Sequence, residues 1–350
     1  VTRRTARPLA ACLAAPLLAA ACGATAPEGP VRASLLFFGD AGAPPEDAGH
    51  YAQLLRVARA VAAEDRERPA DALLALGDNF YPRGLLAAEL LPRVRETLAR
   101  PWCRFVAPAG PRAAELAGAC DLPERERHPI PIHALLGNHD LRSPESPALQ
   151  RDAIPPFVPN WRLAAGSAET RELVPGVSLV LLDSERVFAG GDTAPVGEAL
   201  RAAPGPWRIA AAHRPILGTA ATRDEDPAQV EAYARRMREA VAGAGVPVQV
   251  FLSGHAHSLQ LLLGSAPDPP LHVVAGSASD TGVLRSRDPR RAVGVLAPGF
   301  GRLDVVGEGL GTRLVVTLYR LLPAPLDRLS SRRITVARYA VDLAGNAVAE

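Results

Sequence analysis

Lysine is absent from this chain: all 39 basic residues are arginine. A phosphate-binding loop of the GxxxxGK type is therefore excluded. With alanine and proline so abundant, the substitution reads as the codon bias of a GC-rich bacterial genome, not as a need for guanidinium groups. Net charge of one sign is also scarce, at +2, so charge alone gives no pull toward nucleic acid or an anionic membrane. No nucleophile elbow and no internal repeat of fixed period is present. Cysteine is limited to four positions, and no second cysteine pair or histidine cluster completes a zinc site around Cys103 and Cys120. What the chain does have is length and apolar content: 350 residues, 48% hydrophobic, enough to bury a full core in one large domain or two modest ones.

The N-terminus is laid out as an export signal. Arg3, Arg4 and Arg7 precede an apolar stretch from Leu9 to Ala21, too short to span a membrane as a mature helix. The small residues before Cys22 resemble a bacterial lipoprotein signal, in which Cys22 becomes the lipid-bearing first residue. A secretion signal cut near Ala21 is the alternative, and the LAAC ending at Cys12 fits the short consensus without an apolar stretch before it. The Arg3-Arg4 pair lacks the flanking residues of twin-arginine export. The expected organisation is an export signal over 1–22, a tether over 23–32 and one domain over 33–350. Localisation follows as the bacterial envelope or periplasm, with a lipid anchor as the membrane contact and a monomeric state. In an oxidising compartment the two mature cysteines, Cys103 and Cys120, are expected to form a disulfide worth about 3 kcal/mol.

Apolar runs mark strands at 34–40, 71–78, 132–140, 177–184, 207–215 and 248–257. Helical spacing marks 46–64, 85–99 and 225–243. Alternation of strand and helix argues for a parallel centre. The later runs LHVVAG, FGRLDVV and TRLVVTLYR lack intervening helices and are expected to pair antiparallel. The stretch 100–131 reads as a proline-rich, stapled surface insertion, and a second proline-rich loop extends to Trp161. The layout suggests two β-rich layers with helices outside.

Eight residues in five strings read as one two-metal site: Asp40, Asp78, Tyr81, Asn138, His139, His213, His255 and His257. They stand in GD, GDNFY, GNHD, AAHRP and GHAH, nearly all just beyond a short apolar run, where buried strands end. Carboxylate, phenolate, amide carbonyl and imidazole suit hard or borderline cations. A carboxylate such as Asp78 can bridge two of them, and a close pair of metals can clamp a phosphate and supply a hydroxide nucleophile. His50, His128, His133 and His272 read as ordinary polar residues.

The ordered set GD, GDN, GNHD, H, GHxH resembles the calcineurin-like metallophosphoesterase superfamily, which implies a four-layer α/β/β/α sandwich with two mixed sheets. The family's first motif is DxH; here Gly42 takes the place of that His, and Tyr81 follows Asp78. This paired change resembles the purple acid phosphatases, particularly the small tartrate-resistant type. The resemblance implies that Asp40, Tyr81 and His257 hold Fe(III), that Asn138, His213 and His255 hold a divalent Fe, Zn or Mn, and that Asp78 bridges. His139 is implied as the catalytic group that bonds the phosphate or protonates the leaving oxygen. The implied activity is hydrolysis of phosphate monoesters, on small molecules or proteins and not nucleic acid, by metal-bound hydroxide. A diesterase or nucleotide phosphatase on the same centre, and a non-catalytic metal-binding lipoprotein, are the alternatives. Several positions depart from the family. Ala212 replaces a Gly before His213. Leu141 and Arg142 stand where tartrate-resistant members carry a second His, which leaves the leaving-group acid open. Arg142 and Arg214 read as solvated surface residues, with contact to an anion as the alternative. The 100–131 insertion lies between metal motifs and is placed to wall the site.

Overall fold

The computed structural model describes residues 29–107, 109–218, 222, 224–284, 287–323 and 333–350. Residues 1–22, with Cys12 and Cys22, lie outside these. Of the expected tether, Gly29 and Pro30 lead into the first strand, which takes in the stretch's last two residues. In chain order the strands are β1 (Val31–Phe38), β2 (Ala72–Ala75), β3 (Ile132–Ala134), β4 (Trp161–Leu163), β5 (Ala168–Val174), β6 (Val177–Leu182), β7 (Trp207–Ala212) and β8 (Val250–Ser253). They continue as β9 (Leu259–Leu263), β10 (Leu271–Ala275), β11 (Arg291–Val295), β12 (Gly299–Val306), β13 (Arg313–Leu321), β14 (Arg333–Val341) and β15 (Ala347–Ala349). One sheet runs β15-β14-β13-β12-β1-β2-β3-β4, the other β11-β9-β10-β8-β7-β6-β5.

Both sheets are mixed. β1 to β4 are parallel neighbours, as are β6, β7, β8 and β10, while the remaining pairs are antiparallel. The central strands are mostly apolar because both faces are covered. In β1, Leu35 and Phe37 face the other sheet, while Leu36 and Phe38 face the helix Ala48–Glu67. The second sheet buries Val180, Ala210 and Phe251 against the helices Ala194–Ala202 and Pro227–Gly243. The result is the expected α/β/β/α stack. Helix starts follow capping chemistry: Asp226 accepts the Ala228 N–H at 3.0 Å, with Pro227 in the first turn.

Several expectations need correction. β10 is parallel to β8, not antiparallel, because β9 passes outside it and β10 returns into the gap. β4 and β5 were not expected. The first is three residues long, and the second shows no buried face, so neither has an apolar period to read. The helices Ser184–Phe188 and Ala194–Ala202 were also not expected. The segment at 85–99 begins as a 3-10 turn, is α-helical over Leu90–Arg93 and widens to a π-helix over Val94–Ala99, with Pro92 supplying no N–H. Residues 100–131 are not a loose surface insertion. Trp102, Phe105, Leu116 and Ile130 are core residues, Trp102 stacks on Phe38 at 3.8 Å, and a Cys103–Cys120 disulfide closes the loop with Cα atoms 5.2 Å apart.

His272 is fully buried in β10, stacked on Phe251 at 5.0 Å, with no hydrogen-bond partner for either ring nitrogen. Burial holds its pKa down to about 3. The folded state therefore binds fewer protons here than the unfolded state below the ordinary value of 6.5, and stability falls as the pH drops from there toward 3. At pH 5 the cost is about 2 kcal/mol. The expected outcome is that His272→Leu narrows the gap between melting temperatures measured at pH 7.5 and pH 5. An unchanged gap would refute the assignment.

Candidate metal centre

The loops that follow β1, β2, β3, β7 and β8 meet at one end of the two sheets, beyond the C-terminal ends of parallel strands. Asp40, Asp78, His255 and His257 sit there with φ of 60°, 54°, 65° and 37°, and no other non-glycine residue among those described has positive φ. Each such conformation costs about 1 kcal/mol or more and persists because the surroundings over-determine it. Bonds between the sheets do so here: Gly39 N–H donates to Ala275 O at 2.7 Å, and His255 N–H donates to Asp40 Oδ2 at 2.8 Å.

The side chains form two groups that share Asp78. In one, the Tyr81 hydroxyl lies 3.0 Å from Asp78 Oδ2, 3.1 Å from Asp40 Oδ1 and 3.1 Å from His257 Nε2. In the other, Asn138 Oδ1 lies 3.1 Å from His213 Nε2 and 3.0 Å from His255 Nδ1, while Asp78 Oδ1 is 3.6 Å from His213 Nε2. Seven of the eight residues singled out in the sequence are thus brought together around one carboxylate. His139 stands beside them, its ring edge against Tyr81 at 4.5 Å and its Nδ1 donating to Pro82 O at 2.7 Å.

Each inward imidazole nitrogen is fixed as a lone-pair donor by what its other nitrogen does. His213 Nδ1–H donates to Leu76 O at 2.8 Å. His257 Nδ1–H donates to Asp280 Oδ2 at 2.9 Å. His255 Nε2–H donates to Glu225 Oε1 at 3.2 Å; the Arg214 guanidinium, a donor itself, stands equally close and serves Glu225. The donor set fits a pair of cations: carboxylates, a phenol, an amide carbonyl and one nitrogen of each imidazole converge, and the second nitrogen of each imidazole is turned outward.

Without cations, protons take their place. Burial, then the neighbouring Asp40 charge, pushes Asp78 up to about 7. Burial works against charge on His257, yet its bonds to Asp280 and Asp40 outweigh that and raise it to about 10. Asp40 answers in the other direction: burial acts upward, but His257 brings it below the ordinary value. Burial and the two carboxylates hold the Tyr81 phenol well above 10.

Two glycines explain how the loops close so tightly. A Cβ on Gly137 would lie 2.2 Å from Asp78 Oδ1, so Asn138 can follow only a residue without one. A Cβ on Gly42 would lie 2.5 Å from Phe80 N, so the position where a DxH motif carries His admits no side chain. The space is filled by the turn that carries Tyr81, whose own N–H donates to Gly42 O at 2.9 Å.

Sequence reasoning missed four supporting groups. Asp140, fully buried, accepts N–H bonds from Asn79, Phe80 and Gly137 and joins the second and third strings; its place in GNHD was the available signal. Glu225, Asp280 and Glu185 stand in no motif. Arg214 is not a solvated surface residue: it is buried over the Phe188 ring at 3.6 Å and pairs with Glu185 and Glu225. His50 is a polar residue with partners, as expected, and it bridges Asp47 at 2.7 Å and Asp280 at 3.1 Å on the rim. The site opens into a cavity of about 670 Å³, and among the described residues none of its lining comes from 100–131, which packs against the outer face of the first sheet instead.

Residues 33–259 match the family model described as calcineurin-like phosphoesterase. A search of curated proteins finds no match. Among solved structures, the chain is similar to GAP50, the anchor in the inner membrane complex of Plasmodium, with 12% identity, a TM-score of 0.59 and coverage of 83% of this chain and 85% of that one. It is similar to the purple acid phosphatase PPD1 from yellow lupin (Lupinus luteus) seeds, with 12% identity and a TM-score of 0.58 over 89% of this chain but 53% of that longer one. PhoD gives 12% identity and a TM-score of 0.56 over 92% of this chain and 72% of that one. At such identity these likenesses speak for the fold alone.

Because protons and cations compete for the same lone pairs, uptake of a divalent ion by the metal-free chain should release protons and strengthen as pH rises through 7. Glu225→Gln and Asp280→Asn should each weaken metal affinity about 10- to 100-fold. Calorimetric titration with Zn²⁺ or Mn²⁺ checks both; affinity independent of pH, or undisturbed in both variants, would count against the site.

Proposed function

The chain belongs to the calcineurin-like phosphoesterase family, whose activity is phosphoester hydrolysis on a metal centre, and from that premise we propose a purple acid phosphatase-like phosphomonoesterase. Asp40, Tyr81 and His257 would hold Fe(III), Asn138, His213 and His255 a divalent Fe, Zn or Mn, and Asp78 would serve both. Once bound, such a pair neutralises the phosphoryl charge and acidifies water, the trivalent ion more strongly, which suits activity in acid.

The observation that carries this reading is the Tyr81 hydroxyl, held within 3.1 Å of Asp40, Asp78 and His257 beside a Gly42 that leaves no room for histidine. A phenol held among two carboxylates and an imidazole keeps its proton in the metal-free chain; a ferric ion would take that proton's place. Asp78, with one oxygen toward each group, ties the two halves together. His139 presents Nε2 to the cavity because Nδ1 is committed to Pro82 O. Burial, with the Arg142 charge, brings His139 down to about 4, so before substrate arrives its Nε2 accepts hydrogen bonds. A dianionic phosphate beside it favours the imidazolium, which then holds the proton for the departing oxygen. Export to an oxidising compartment is part of the proposal, supported by the Cys103–Cys120 disulfide and the N-terminal pattern.

Asp78→Ala and His213→Ala should each abolish turnover of phenyl phosphate, and retained activity in either would sink the assignment. The oxidised protein should be purple, and Tyr81→Phe should lose the band. A colourless, metal-loaded protein would leave a phosphoesterase with divalent metals alone. Side-by-side rates on monoesters, diesters and nucleotides fix the ester class.

A further inference from the structure

The cavity over the metal centre is far larger than a phosphate, and its charges are unevenly matched. Arg214 is neutralised by Glu185 and Glu225, and His50 by Asp47 and Asp280. His255 and His257 are committed to the centre and its supports. Arg142 differs. It lines the same cavity, yet its one polar contact among the described residues is from Nη1 to Pro82 O at 3.3 Å, and no carboxylate pairs with it. The same Pro82 carbonyl accepts His139 Nδ1, so Arg142 and His139 meet at one acceptor. Its remaining N–H groups are left for the cavity and solvent. Asp47, Asp224 and Asp280 also line the cavity, and none of them pairs with Arg142 among the described residues.

We propose that Arg142 is a subsite for a second anionic group, so that the preferred substrates are phosphomonoesters whose leaving portion carries another phosphate or a carboxylate. The proposal rests on the phosphoesterase reading for the position of the reacting phosphate. In that reading His139 meets the leaving oxygen, and Arg142, bonded to the same Pro82 carbonyl and lining the same cavity, is the cation that shares its anchor. A guanidinium meets a carboxylate or phosphate with paired N–H donors, and the acidic lining elsewhere disfavours other placements of a second anion. Neither a solvated arginine nor one that grips the reacting phosphate gives this preference.

The test uses the full metal-loaded protein and three non-hydrolysable ligands of one chain length: propylphosphonate, 3-phosphonopropionate and propane-1,3-diphosphonate. Equilibrium binding should be at least 10-fold tighter for one or both dianchored ligands than for propylphosphonate. The comparison between them tells carboxylate from phosphate. In Arg142→Gln that ratio should collapse toward one, and Arg142→Lys should restore part of it. Equal affinities in the unaltered protein, a ratio that survives Arg142→Gln, or an equal loss for all three ligands would overturn the proposal. Since binding is the readout, failure to hydrolyse phenyl phosphate would sink the hydrolase reading and leave this measurement standing.

Discussion

Lone pairs aimed at one another in a dry interior are the constraint on which this structure turns. Asp40 and Asp78 are buried, Asn138 presents its carbonyl, and three imidazoles each turn one ring nitrogen inward, all within about a hydrogen bond's length of a neighbour. Such an arrangement is unfavourable by itself, since acceptors repel and water is excluded. Protons relieve it partly, which is why Asp78 and His257 are both raised. Cations relieve it more fully, and the outward bonds of the imidazoles ensure that metal, not proton, is what the inward nitrogens are shaped to receive.

The backbone bears the same logic. Four of the candidate ligands occupy left-handed conformations that ordinary side chains avoid, and next to them one sheet is bonded to the other, through Gly39 to Ala275 and His255 to Asp40. A strained turn on an isolated strand would relax. Here the second sheet and the Asp140 bonds hold Asn79, Phe80 and Gly137 in place, so relaxing one loop would break contacts made by another. The two-sheet sandwich is therefore what lets five short loops keep an unfavourable geometry.

This division decides what could be read from the sequence. Strands buried on both faces announce themselves as apolar runs, and ligands follow them directly, so Asp40, Asp78, Asn138, His213, His255 and His257 were legible. Tyr81 was legible through Gly42, because the missing side chain and the added phenol are two sides of one packing event. β4 and β5 were not, since a three-residue strand and an edge strand without a buried face have no period. Glu225, Asp280 and Glu185 were illegible for another reason: each acts through a partner distant in sequence, and a lone carboxylate in a loop looks like any solvated charge. Arg214 was misread on the same ground, because its burial depends on Glu185, Glu225 and Phe188, none of them adjacent to it.

The supports of the two halves are unequal, and the inequality has a physical consequence. Glu225 behind His255 is balanced by Arg214, a buried group that stays charged at any relevant pH. Asp280 behind His257 is balanced by His50, which is about half exposed and titratable. The half of the site holding Asn138, His213 and His255 is thus locked by charges that are fixed and largely buried. The half holding Tyr81 is locked from within by its two carboxylates but backed by a pair that water can reach. When charge changes at the centre, solvent and protons can respond on the tyrosine side, whereas the opposite side must rely on dipoles and charges already in place.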